Sequence, residues 1–277
     1  FCYYKVTIDR PNRLKAQFSE ERIEDLRFDK SISEPMKWAY ETYGEQVYTD
    51  LKAIEKELLD WCEKNELDLN AKKRKALTNS ATWKKQQDIL NAAIQLMAAI
   101  GTELYNDYNV FLDTVNQELK ASKTKLSASE KNQILGAISW YDETAEKVIK
   151  KKQKLSGDKL DQLLHHLDCM VEQLPDYGYY PSSNKDEYIV YDSSSELRDT
   201  ESVPSAENIH EYFLCEVKPH VDEAWIDLDK TKIGYEISFN KYFYQHKPLR
   251  PIEEISAEIL GLEKQNEGLI MDILKLA

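Results

Sequence analysis

The last part of the sequence carries the pattern that most restricts how this chain can fold. Apolar residues recur there at alternating spacings of three and four, with one polar residue in the same register. The positions are Ile252, Ile255, Ile259, Leu262, Asn266, Leu269, Ile273 and Leu276. This is the a/d seam of a heptad repeat, which predicts a helix that buries a narrow stripe against another helix. Packing on its own domain and pairing with a partner helix both stay open, and the hinge at Pro248 and Pro251 favours a partner.

Helical periodicity also dominates the middle of the chain. Apolar residues at three- and four-residue spacings through residues 36–175 predict a helical domain or insertion. The predicted helices cover residues 38–65, 70–77, 81–118, 128–155 and 158–174. Ser127 followed by Glu130 forms a capping box, which predicts the start of one of these helices. Only 8 of the 277 residues are Gly, so a fold rich in tight turns and phosphate-binding loops is not expected.

The rest of the chain predicts shorter elements. Residues 1–9 alternate like a strand, but no partner strand is visible before helical pattern begins. An orphan strand in a chain that starts at Phe1 predicts a missing neighbouring domain. We therefore predict a mainly α fold with a few short strands and a coiled-coil-like C-terminal helix. Its predicted parts are a connector (1–35), the helical domain (36–175), an acidic mixed segment (176–250) and the terminal helix (251–277).

Charge is distributed unevenly. The net charge is −13, yet residues 176–229 hold 14 Asp and Glu against 3 Lys and Arg, a local charge of −11. Lysines cluster before this segment, and Lys147, Lys151 and Lys154 share one face of the predicted 128–155 helix. Such a face is either a solvated surface or a sequence-independent contact with DNA phosphates. Both interpretations stay open.

No recognisable catalytic pattern occurs in the sequence. It contains no G-x-G-x-x-G, no phosphate-binding P-loop, no Asn-Pro-Pro-aromatic motif, no G-x-S-x-G and no H-E-x-x-H. His165 and Cys169 share a helical face, but two ligands do not make a metal site. The four cysteines lie far apart, which favours reduced thiols in the cytoplasm. The least charged stretch, 89–101, is too short to span a bilayer, so no membrane partner is expected.

Several segments resemble one family. They are YYKVTIDRPNRLKAQFS at 3–19, ELRDTESVP at 196–204, EYFLCEVKPHVDEAWID at 211–227, GYEISFNKYFY at 234–244 and PLRPIEEISAEILGLE at 248–263. In this order they are similar to the region that follows the methyltransferase domain in the modification subunit of type I restriction-modification systems. Residues 30–175 match only in being helical, and Asn12, Lys15 and Ala16 depart from the family pattern.

The resemblance implies a parent enzyme that transfers a methyl group from S-adenosylmethionine to adenine N6 in DNA. The family's cofactor loop and Asn-Pro-Pro-aromatic motif lie upstream, so we expect a C-terminal fragment without the catalytic α/β domain, without cofactor and inactive alone. The implied partners are the specificity subunit, the restriction subunit and double-stranded DNA. The specificity subunit would bind the heptad helix. The alternative is an independent helical scaffold whose terminal helix pairs with itself.

Overall fold

The structure is a computed structural model. It describes residues 2–122, 124–236, 243 and 250–276, and the side chains of the last helix as far as residue 266. The chain divides into two compact units, residues 3–234 and a second unit made of residues 1–2 and 235–277.

Within the described ranges, two strands are followed by a long run of helices, and strands and helices are mixed after residue 138. The helices are α1 (Glu20–Glu24), α2 (Ser33–Tyr43), α3 (Gln46–Thr49), α4 (Leu51–Lys64), α5 (Ala71–Leu77), α6 (Ser80–Ile100), α7 (Tyr108–Ala121), α8 (Ala128–Ile138), α9 (Asp158–Leu167), α10 (Ile209–Tyr212) and α11 (Ile252–Leu276). Two 3-10 turns, Asp25–Arg27 and Val171–Tyr177, and a π turn, Phe213–Val217, supplement them. The strands are β1 (Cys2–Asp9), β2 (Leu14–Ala16), β3 (Ser139–Tyr141), β4 (Ile149–Lys154), β5 (Tyr180–Pro181), β6 (Glu187–Tyr191), β7 (Asp199–Pro204) and β8 (Trp225–Tyr235).

The prediction of a mainly α fold is wrong. The chain is about 52% helical and 19% strand, a mixed α/β fold. The strands form three small sheets with the orders β7-β1-β8, β2-β3 and β4-β6-β5. Strand pairing depends on partners that lie far away in the sequence, and such partners leave no local spacing to detect.

The first strand is not an orphan, contrary to the prediction. β1 lies at the centre of its sheet, where Tyr4 pairs with Val203 and Val6 with Glu201 in antiparallel register. Gly234 allows β8 to come close, because a Cβ at this position would lie 2.4 Å from the ring of Tyr3. The sheet therefore assembles from segments that are about 190 residues apart.

The predicted helix over residues 128–155 is correct in its first part and wrong in its second. The Ser127–Glu130 capping box forms and starts α8, which ends at Ile138. Ser139 then turns extended, with φ −120° and ψ 151°, and the chain continues into β3 and β4. Two other predicted helices are divided at glycines with positive φ, Gly44 at +57° and Gly101 at +92°. Each glycine follows the last residue of a helix and turns the chain there with a positive φ, which glycine adopts without steric cost.

The buried side chains form three hydrophobic clusters within residues 3–234. One packs α2, α4 and the start of α6 around Trp83, and a second packs α6, α7 and α8 around Phe111. The third covers the β7-β1-β8 sheet with α9, the second 3-10 turn and the π turn; its members include Val6, Val203 and Phe213. No described helix combines the length and apolar composition that crossing a bilayer requires.

Candidate functional site

The most exposed apolar surface on a helix lies on α11. This helix follows Pro251, and Arg250 forms ion pairs with Glu254 and Glu258 across its first two turns. Its seam residues Ile252, Ile255, Ile259 and Leu262 are between 39% and 73% exposed. Asn266, the polar seam position, is exposed as well. All side chains described on this helix, residues 252–266, are exposed, so the first five seam positions lie open to solvent in this chain, and their use as a partner surface stays a prediction.

The structure describes the second half of the predicted seam only in part. Leu269, Ile273 and Leu276 lie within α11, but their side chains fall outside the described residues. Their use as partner contacts stays a prediction. A contiguous apolar stripe on a soluble surface is typical of a binding site for another protein, and the described half already has that character.

The predicted lysine face does not exist as a helical face. Lys151 and Lys154 lie in β4, and Lys147 precedes it. Successive side chains of a strand point to opposite faces, so two residues three apart lie on different sides of the sheet. The prediction failed because spacings of three and four fit a helix, while the segment adopts a period of two.

Lys147 instead forms an ion pair with a half-buried carboxylate. Its Nζ lies 2.8 Å from Oε1 of Glu223, and 5.5 Å from the ring centroid of Tyr191. Arg13 donates to both carboxylate oxygens of Glu223, at 2.7 and 2.8 Å. Burial alone would raise the pKa of Glu223, but the hydrogen bonds from Arg13 and Lys147 outweigh it and lower that pKa. Lys147 therefore joins β4 to the opening segment through Glu223.

Asp9, at the end of β1, is a second carboxylate held by two cations, and it is buried. The side chain of Asp9 is 2% exposed, with Arg198 Nε 2.6 Å from Oδ1 and Lys230 Nζ 3.1 Å from Oδ2. Burial would raise the pKa of Asp9, but hydrogen bonds from both cations outweigh it and lower that pKa. Because Arg198 precedes β7 and Lys230 belongs to β8, Asp9 ties the three strands of this sheet together.

A polar cluster around His210 lies beside the same sheet, and no spacing in the sequence links its members. His210 Nε2 lies 3.0 Å from Oδ2 of Asp176, and its Nδ1 lies 3.3 Å from Nε2 of Gln173. Lys218 donates to the other oxygen of Asp176 at 3.0 Å, and the ring of Tyr177 stacks on His210. Since both ring nitrogens have partners, we assign this cluster a structural role: it joins the 3-10 turn to α10.

The histidines and cysteine considered for a metal do not assemble into a site. His166 Nε2 contacts Asp229 at 3.1 Å instead. Among the residues that the structure describes, no group of three or more His, Cys, Asp or Glu side chains is placed to hold a metal ion. Asp9, Glu223 and Asp176 are each held by Lys or Arg side chains 42 or more residues away in sequence, so no sequence motif could have indicated them.

Comparison with known proteins adds no assignment. No family model, curated protein or solved structure matches this chain.

Proposed function

We propose that this chain is the non-catalytic, C-terminal region of the modification subunit of a type I restriction-modification adenine methyltransferase. Its proposed roles are to assemble with the specificity subunit and to help hold DNA. The observation that carries the proposal is the apolar face of α11, which needs a partner to cover it. An Ile or Leu side chain that becomes fully buried contributes about 1.5–3 kcal/mol, so four seam residues are enough to stabilise a helix pair.

The arrangement of the resembling segments supports this proposal. Residues 3–19 contain β1, residues 196–204 contain β7, and residues 211–227 contain the start of β8. These segments meet in one sheet, and their side chains share one hydrophobic cluster. Residues 234–244 lie largely outside the described residues. Three of the five resembling segments thus meet in one structural unit, although they lie far apart in the sequence.

The methyl-transfer chemistry belongs to the proposed parent enzyme and not to this chain. The parent would use S-adenosylmethionine to methylate adenine N6, with the restriction subunit and double-stranded DNA as further partners. We expect this chain alone to bind no S-adenosylmethionine and to transfer no methyl group. We also propose a cytoplasmic location: Cys2, Cys62, Cys169 and Cys215 are all unpaired thiols, which suits a reducing compartment.

The assembly role is tested by mixing the chain with the specificity subunit of its own system and measuring complex formation by size-exclusion chromatography with light scattering. Replacing Ile259 and Leu262 together by Asp places two charges in the seam and is expected to abolish the complex. The matched control is Ala257→Asp with Gly261→Asp, which adds the same charge at exposed positions of α11 outside the seam. Equal complex formation by both double variants would refute the assembly role.

The alternative, a self-pairing scaffold, rests on Asn266. A single Asn at a seam position is the device by which two-stranded coiled coils set their register, and this residue is exposed in α11. Sedimentation of the chain alone at several concentrations separates the two readings. A concentration-dependent dimer that Leu262→Asp abolishes, together with no binding to the specificity subunit, would favour the scaffold.

A further inference from the structure

The outer edge of the β4-β6-β5 sheet is a lysine-rich strand. β4 lies at one edge of the sheet and has the sequence IKKKQK. Lys151, Lys152 and Lys154 are exposed, and none of their amines lies within 4.0 Å of a carboxylate in the described part of the chain. Lys147, by contrast, is neutralised by Glu223.

The geometry of the strand arranges these charges in two rows. Lys152 pairs with Ile189 and Lys154 with Glu187, so both lie on one face of the sheet, and Lys151 lies on the other. A rise of about 3.4 Å per residue places Lys152 and Lys154 roughly 7 Å apart along the strand. Duplex DNA carries phosphates every ~3.4 Å of axis on each strand, so an edge of this length can meet several phosphates at once.

Lysines on an edge strand also have a purely structural explanation, since their charge prevents edge-to-edge pairing between protein molecules. Here the strand has a second protection, because its register shifts between Ile149 and Lys151, leaving Lys150 as a bulge. A bulge already blocks the addition of another strand, so the exposed lysines exceed what edge protection requires. The same bulge argues against an extended acidic peptide as the ligand.

We infer that the β4 edge, formed by Lys151, Lys152 and Lys154, contacts the phosphate backbone of duplex DNA without reading its sequence. The inference deepens the DNA-holding part of the proposed function and rests on it. Duplex is favoured over single-stranded nucleic acid because β4 offers no aromatic side chain on which bases could stack. Lysine amines are point charges suited to phosphate contacts rather than to base recognition.

The test measures binding of the full chain to a fluorescently labelled 24-base-pair duplex by anisotropy, at NaCl concentrations from 50 to 200 mM. Three phosphate contacts predict a log–log salt slope of about −2.7. Affinity should therefore fall about 40-fold over that range. The variant Lys151→Gln/Lys152→Gln/Lys154→Gln should flatten the slope to near zero and weaken binding at least tenfold at 50 mM.

The control variant is Lys72→Gln/Arg74→Gln/Lys75→Gln on α5. It removes the same charge from three exposed positions and should leave the slope unchanged. Replacing the three β4 lysines by Arg preserves charge and should retain wild-type binding, which separates lost contacts from a lost fold. Circular dichroism checks that every variant is folded.

Each remaining outcome overturns the inference. A wild-type chain that binds no duplex at 50 mM salt, a β4 variant that binds like wild type, or equal losses in the β4 and α5 variants would each contradict it. Failure here leaves α11 assembly intact, because that role is measured with the specificity subunit and without DNA. If the chain fails to assemble with the specificity subunit but keeps the salt slope that depends on β4, the assembly role is wrong and the DNA contact stands.

Discussion

Asp9 offers the most direct test of how the β7-β1-β8 sheet is held together. Its carboxylate is 2% exposed and accepts hydrogen bonds from Arg198 and Lys230. Asp9→Asn keeps the shape but removes the charge, so one amide N–H must face a cation. Losing a charged hydrogen bond costs about 1.5–3 kcal/mol, and breaking a fully buried ion pair costs about 3–5 kcal/mol.

The exposure of the two cations decides how much unfolding free energy Asp9→Asn loses within that range. The side chains of Arg198 and Lys230 are 32% and 46% exposed, so both can regain water when Asp9 is neutral. We therefore expect Asp9→Asn to lower the free energy of unfolding by about 2–3 kcal/mol at pH 7, below the buried-pair limit. For a unit of this size, that corresponds to a melting temperature lower by roughly 4–12 °C.

The pH dependence supplies an independent check. The pKa of Asp9 is lowered in the folded state, so its stabilising contribution is complete above the unfolded-state pKa of about 3.9. The contribution disappears as the pH falls through the lower folded-state pKa. The difference between wild type and Asp9→Asn should therefore be constant from pH 7 to 5 and shrink below about pH 4.

The measurement is guanidinium unfolding followed by circular dichroism between pH 3 and pH 7. Asp229→Asn is the matched control, since it makes the same change on β8 at a side chain that is 83% exposed. The control should change stability by less than about 0.5 kcal/mol. A cost for Asp9→Asn that equals the control, or one that does not shrink below pH 4, would refute the reasoning.

Two further predictions follow from packing and backbone geometry. Trp83 is fully buried and donates from Nε1 to the Leu77 carbonyl at 2.8 Å, so Trp83→Phe should destabilise the chain by about 1–3 kcal/mol in guanidinium unfolding; a loss under 0.5 kcal/mol would contradict this. Gly234→Ala should lower the melting temperature, because its Cβ would meet the ring of Tyr3. Gly136→Ala, in an open helical position of α8, should instead stabilise by up to about 1 kcal/mol; a Gly234→Ala variant at least as stable as wild type, or a destabilising Gly136→Ala, would contradict this.

The capping box at Ser127 predicted the start of α8 correctly, and the cap of α1 is equally local. Ser19 accepts a hydrogen bond from the backbone N–H of Arg22 and caps α1, and Ser127 forms its capping box with Glu130. Caps succeed as predictors because donor and acceptor lie within three residues. The same locality explains α11, whose seam and length follow from residue spacing alone.

Prediction failed where a residue's role depends on a distant partner. Lys147 was predicted to lie on a lysine face of a helix, but it precedes a strand and is held by Glu223, 76 residues away. Residues 199–204 lie in the predicted acidic mixed segment (176–250), and only their pairing with β1 makes them the strand β7. Nothing in the short segment 199–204 alone indicates a strand, since its pairing surface is provided by another part of the chain.

By itself, the sequence determined the helical cores, the caps, the heptad seam of α11 and the uneven distribution of charge. Only the tertiary structure decided that β1 is a central strand, that Asp9 and Glu223 anchor distant segments, and that the exposed lysines lie on a strand edge. The physical reason is the range of the interactions. Helix hydrogen bonds and caps join residues at most four apart, whereas each of these three features needs partners at least 30 residues away, which only the folded chain brings together.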